Sequence, residues 1–223
     1  MSSTEQMKSS FIHALQASQR EKAPYAHWLL SGIFPEDVID GILDLPISAP
    51  RMDYAEGKRD ANNDKRGYFD VERREEFPVC DKVAETLQSP EVISAIEQEC
   101  GVNLEGTYLR IEFTQDSPGF WLEPHTDIGV KKFTMLIYLS RDEDAKNWGT
   151  SIYTSSDPQS MVGNAPFEAN HGLIFIPATD TWHGYAERPM AGVRKSLIVN
   201  YVGDEWRARH ELAFPEAPIH HAA

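Results

Sequence analysis

Residues 122–140 read LEPHTDIGVKKFTMLIYLS. The second half of this stretch, FTMLIYLS, is an apolar run rich in β-branched and aromatic residues, too short for most core helices and suited to a buried strand. The first half sets His125 and Asp127 two residues apart, and on a strand or at its end such side chains share one face. Similar runs recur between turn signals on both sides, at 106–114, 120–123, 132–140, 150–154, 173–177, 181–186 and 193–202. Seven or eight short antiparallel strands following a helical half predict a mainly β fold, a double-sheet jelly roll with helices packed on one sheet.

Upstream, Met7, Phe11, Ala14 and Leu15 recur at helical spacing and predict a helix over 4–19. YAHWLLSGIF at 25–34 suits a buried strand. Pro35-Glu36-Asp37 then opens a helix that ends near Pro46, with proline in its first turn and acids at its positive end. Ser89-Pro90-Glu91 repeats that start signal and Gly101 supplies a stop, which predicts a helix over 90–100. Residues 51–77 are charged and aperiodic, with Gly57, Asn62-Asn63 and Gly67, and read as an extended loop or edge hairpin. A loop of that length is a connector or a lid, and as a lid its working residues would be Arg66, Tyr68 and Phe69. Residues 205–223 read as a short helix and a tail. A chain of 223 residues suits one domain, with 1–105 as mostly helical support, 106–204 as the β core and 205–223 as the tail.

The net charge of −14 would repel a polyphosphate backbone, so nucleic acid is not an expected partner. Lys65-Arg66 and Arg73-Arg74 lie among acids and read as a solvated charged face. No apolar run approaches the length of a membrane helix, and residues 1–22 are polar without the apolar core of a signal peptide. The expectation is a cytoplasmic protein without a membrane partner. Cys80 and Cys100 lack metal-site spacing and read as buried thiols.

His183, on a separate strand between Trp182 and Gly184, supplies a third ligand to His125 and Asp127. Two imidazoles and a carboxylate on one face of an iron leave three positions open, the arrangement of non-haem Fe(II) oxygenases. A His-x-Asp pair alone is a weak signal. Here it closes an extended segment, is followed by an apolar strand, and is answered by His183 and then Arg194. A guanidinium makes a charge-assisted, fork-shaped match to the far carboxylate of a dicarboxylic co-substrate. Ser196 shares the face of Arg194 and could donate to the same carboxylate, while Lys195 points the other way. The simpler alternative is that Arg194 pairs with a surface aspartate.

At PHTD (124–127), FTMLIYLS (133–140), DAKNWGTSIY (144–153), GLIFIP (172–177), WHG (182–184) and RKSLIVNYV (194–202) the chain resembles the 2-oxoglutarate- and Fe(II)-dependent oxygenases, most closely their prolyl-hydroxylase-like branch. The resemblance covers about residues 106–204. It implies a double-stranded β-helix in which His125, Asp127 and His183 bind iron. It also implies that Arg194 anchors 2-oxoglutarate and that Tyr138 assists, facing the pocket with Leu136 and Thr134. The implied reaction couples oxidative decarboxylation of 2-oxoglutarate by O2, releasing succinate and CO2, to C–H hydroxylation. Halogenating relatives replace the carboxylate ligand with a small residue, so Asp127 implies hydroxylation. The arginine-rich signature of the nucleic-acid demethylating branch is missing after His183.

For the substrate, a small molecule or a peptidyl residue, the candidates are Arg110, Arg66 and Trp121. Arg110 shares a strand face with Tyr108 and Glu112, where it could meet a substrate carboxylate or form a salt bridge. Trp121 and Trp182 flank the ligands, where their default role is packing around the site and a substrate-facing edge is the further reading. The alternative of another class is a non-catalytic jelly-roll or cupin-like protein that binds a metal for structure or recognition.

Overall fold

The structure is a computed structural model and describes residues 3–50, 57 and 66–221. Most of the 51–77 segment thus lies outside the described residues, and with it most of the lid question. What is described there is more regular than an extended loop. Gly67–Tyr68 (β3) pairs with a later strand, and Val71–Glu76 (α3) is a helix capped by Asp70, whose side chain accepts from Arg73 N at 2.9 Å. The run of alternating charges in VERREE hides a single helical turn and a half.

Ser3–Gln16 (α1) is shorter than expected, because residues Gln19–Glu21 (β1) leave it to pair with His27–Ser31 (β2). Glu36–Leu43 (α2) follows Pro35 as read. Pro78–Gln88 (α4), absent from the sequence reading, and Pro90–Cys100 (α5) both place proline at their first positions. Gly101 ends α5 at φ 68°, a left-handed stop that glycine adopts without a Cβ clash.

The remaining strands are Tyr108–Asp116 (β4), Leu122–His125 (β5), Lys131–Tyr138 (β6), Ser151–Tyr153 (β7), Met161–Asn164 (β8), His171–Phe175 (β9), His183–Tyr185 (β10) and Arg194–Val202 (β11). All pairings are antiparallel. They build a seven-stranded sheet, β1-β2-β9-β6-β11-β4-β3, and a four-stranded sheet, β5-β10-β7-β8. The fold is mainly β, with two sheets and few helices, as expected. β8 was not expected; its exposed Met161 and Val162 give no alternating pattern. The expected C-terminal helix is only the 3-10 turn Arg209–Glu211, after which Ile219 N bonds Thr107 O at 2.8 Å.

Strand alternation divides the large sheet into two faces. Leu109, Ile111 and Phe113 of β4, Phe133, Met135 and Ile137 of β6, and Leu197, Val199 and Tyr201 of β11 pack with α1, α2, α4 and α5 in one apolar core. The opposite parity faces the small sheet. There Leu136, Tyr138, Leu173 and Phe175 pack with Ile152 and Tyr185, and the polar residues of the same parity line a cavity. Cys80 and Cys100 are buried and free, and burial pushes both thiols up to about 12. Among the described residues no helix is long and apolar enough to cross a membrane.

Tyr201 ties the sheet to the helices, its hydroxyl donating to Leu87 O at 2.6 Å in the core. Tyr201→Phe removes the donor and leaves that buried carbonyl unsatisfied, so urea denaturation should show a loss of about 1–3 kcal/mol.

Candidate metal centre and cavity

β10 lies between β5 and β7, and its register places His183 opposite His125. The two imidazole rings are 4.4 Å apart between centroids. One ligand atom from each of His125, Asp127 and His183 lies within 4.8 Å of the others. The three side chains read from the sequence are therefore brought together. Pro124 is tolerated because β5 is an edge strand, where an N–H can be missing without breaking a ladder. Gly184 is required by proximity: a Cβ there would sit 2.7 Å from Leu122 O and 2.9 Å from Glu123 O, both backbone atoms of the strand that carries His125.

Both imidazoles are oriented from behind. His125 Nδ1 is 2.8 Å from Glu123 O and His183 Nδ1 is 2.9 Å from Thr181 O. A carbonyl only accepts, so each Nδ1 carries the proton and Nε2 keeps the lone pair a metal needs. Burial pushes His183 down to about 4, against the pull of Asp127, which keeps it neutral near pH 7. For Asp127 burial acts upward, but Lys131 and His183 outweigh it, aided by hydrogen bonds, and hold the carboxyl well below the usual range. Lys131 Nζ donates to Asp127 Oδ1 at 2.6 Å, and Thr134 Oγ1 to Oδ2 at 2.6 Å. Two imidazole nitrogens and one fixed carboxylate on one side of a cavity fit a divalent first-row metal with open positions.

The cavity, about 450 Å³, is lined by the three ligands and by residues from both ends of β11 and its neighbouring strands. At its inner end stand Leu136, Thr150, Tyr185 and Arg194. Arg194 is buried, and pairs through Nη1 with Asp116 Oδ2 at 2.7 Å, its cross-strand neighbour on β4. Its Nε donates to Trp148 O at 2.7 Å and Nη2 to Thr150 Oγ1 at 3.3 Å. Arg194 thus lines the cavity while pairing with an aspartate, but Asp116 is buried within the sheet, not on the surface as the simpler alternative had it. Tyr138 donates to the same Thr150 hydroxyl at 2.9 Å. Ser196 is buried on the shared face, and its hydroxyl has no hydrogen-bond partner among the described residues.

At the other end stand Arg66, Arg110, Glu112 and Trp206. Arg110 forms salt bridges, to Glu112 at 2.8 Å and Glu211 at 2.6 Å, while also facing the cavity. Trp121 is not among the cavity-lining residues; its ring packs against Gly57, where a Cβ would lie 2.3 Å from Trp121 Cη2. Asp116, Thr150, Lys131 and Trp206 are site residues that the sequence reading missed. Lys131, four residues after Asp127, had a local signal; Asp116 becomes visible only once strand register is known.

No family model and no curated protein sequence matches the chain. Solved structures do. A prolyl 4-hydroxylase from Phytophthora capsici superposes with a TM-score of 0.58 at 13% identity, over 93% of this chain and 68% of that one. A prolyl hydroxylase from Trichoplax adhaerens, in complex with a hypoxia-inducible-factor oxygen degradation domain peptide fragment, gives 0.55 at 13%, over 92% and 93%. This chain has the prolyl-hydroxylase-like fold. That prolyl-hydroxylase-like fold extends to a non-heme alpha-ketoglutarate-dependent epimerase from nogalamycin biosynthesis, at 0.53 and 11%, over 88% and 83%. At these identities the likeness fixes the fold, and the chemistry has to be argued from the site.

Gly184→Ala should displace β5 and with it His125. Calorimetric titration of the metal-free protein with Co(II) should show affinity reduced at least about tenfold, as when a group orienting a ligand is lost, and reduced further in Asp127→Ala, which removes a ligand outright.

Proposed function

We propose that the chain is a 2-oxoglutarate- and O2-dependent Fe(II) dioxygenase that hydroxylates an unactivated C–H bond of a small molecule or peptidyl residue. The observation that carries this reading is that His125, Asp127 and His183 converge on a cavity whose inner end holds the buried guanidinium of Arg194. With iron and 2-oxoglutarate bound, the site would supply O2-dependent decarboxylation to succinate and CO2, coupled to hydroxylation of the bound substrate.

The protein's part in this is positioning. Glu123 O and Thr181 O hold the imidazoles by Nδ1, and Lys131 with Thr134 holds both oxygens of Asp127. Arg194 has five N–H donors. Its three bonds to Trp148, Asp116 and Thr150 account for Nε and one hydrogen on each terminal nitrogen, and the other two hydrogens suit a carboxylate. Thr150 links that guanidinium to Tyr138. Leu136, Ile198 and Tyr185 add apolar surface to the lining that Arg194 and the three ligands share. The peptide in the Trichoplax neighbour supports keeping a peptidyl residue among the substrates.

Anaerobic addition of 2-oxoglutarate to the Fe(II)-loaded protein should produce the weak visible charge-transfer band of a chelated 2-oxo acid, and succinate release should require iron and O2. Tight metal binding with neither band nor turnover would favour the metal-dependent binding protein instead. Arg194→Met combined with Asp116→Asn, so that no charge is left buried alone, should raise the 2-oxoglutarate KM by about 10- to 100-fold, the worth of a hydrogen bond to a charged group. The substitutions should leave Co(II) binding in place.

A further inference from the structure

Three neighbouring strands set a row of polar side chains across the inward face of the large sheet. β11 pairs Asn200 with Thr134 of β6 on one side and with Arg110 of β4 on the other. None of the three is more than 3% exposed. Asn200 Nδ2 is 2.9 Å from Thr134 Oγ1 and 3.3 Å from Phe133 O, Asn200 Oδ1 is 3.2 Å from Arg110 Nη1, and Thr134 Oγ1 is 2.6 Å from Asp127 Oδ2. The row therefore ends on the carboxylate of the His-Asp-His cluster.

The chemistry at its two ends fixes the polarity of every bond between them. A guanidinium only donates, so the amide turns its oxygen to Arg110; a carbonyl only accepts, so the amide turns its nitrogen to Phe133 O. Two groups of one-way character thus agree on an orientation that the amide's own shape leaves open. The second N–H of that nitrogen falls on Thr134 Oγ1. A hydroxyl that receives a donor there is left with its own hydrogen for another acceptor, and the Asp127 carboxylate, paired with Lys131, is that acceptor. Donation runs in one direction from Arg110 through Asn200 and Thr134 to Asp127, and bonds aligned in this way polarise one another in a buried setting. Glu112 and Glu211 anchor the Arg110 end.

We infer that Asn200 is a positioning residue for the metal centre: it orients the Thr134 hydroxyl, which in turn holds Asp127 Oδ2 and so fixes the carboxylate beside the two imidazoles. Asn200 bonds none of the three ligand side chains itself and acts through Thr134. The inference rests on the metal centre in the function proposed above and is independent of 2-oxoglutarate, O2 and the substrate. An amide buried in the middle of a sheet is costly unless its polar atoms find partners. This one finds them on both sides, and one of them is the group that holds a ligand.

The test is a double-mutant cycle read by calorimetric titration of the metal-free protein with Co(II). Thr134→Val and Asn200→Leu should each lower Co(II) affinity by about tenfold, as for a group that orients a ligand. Because one acts through the other, the double variant should be about tenfold weaker and not about a hundredfold, the additive value. Thr134→Ser keeps the hydroxyl and should match the unmodified protein, and the visible bands of bound Co(II), which report the ligand arrangement, should move alike in the two impaired variants. Where thermal melting shows that Asn200→Leu has lost its fold, the smaller Asn200→Ala completes the same cycle. Additive losses, or an Asn200 variant that binds Co(II) as the unmodified protein does, overturn the role of Asn200 and leave the metal centre standing. An unmodified protein that binds no Co(II) overturns the metal centre and the role of Asn200 together.

Discussion

Pairing of β10 with β5, which sets His183 opposite His125, is the constraint on which the rest of the site depends. Asp127 lies just past the end of β5, where Lys131 and Thr134 hold its carboxylate at the same cavity, and Gly184 lets the two strands approach closely enough for three donors to come within reach of one ion. The large sheet supplies what lies around them. Its outward parity is consumed by the helices, which leaves its inward parity free to hold Arg194 at one end of β11 and Asn200 towards the other.

The cavity is therefore organised by polarity along two neighbouring strands. One end holds the Arg194 guanidinium paired with Asp116, and the other holds the Arg110 guanidinium paired with Glu112 and Glu211. Asp116 limits how positive the Arg194 end becomes, and under the proposed function a dicarboxylate there would meet a positioned fork rather than a bare charge. The hydrogen bonds from Asp127 through Thr134 and Asn200 to Arg110 make the carboxylate of the His-Asp-His cluster and the Arg110 end of the cavity parts of one buried network.

Much of the β core was legible because period-2 patterning and turn residues act locally. The triad was legible because two ligands share a strand end and the third sits in the short WHG motif. Partners that depend on register were not. Arg194 was read, whereas Asp116, its cross-strand neighbour, lies 78 positions away in a strand whose alignment no local signal sets. The helix Pro78–Gln88 has apolar spacing at Cys80, Val83, Ala84 and Leu87, but it follows a charged run that reads as loop. Arg110 illustrates a third case: its face was clear, yet only packing shows that the same guanidinium can be ion-paired and border a cavity.

The most direct measurement is a crystal structure of the protein with Mn(II) and 2-oxoglutarate, grown without oxygen. The account expects manganese bound by Nε2 of His125 and His183 and by the Asp127 carboxylate, chelated by the 2-oxo acid, with the far carboxylate on Arg194. Metal bound away from those three side chains, or a 2-oxo acid whose far carboxylate does not reach Arg194, would contradict it.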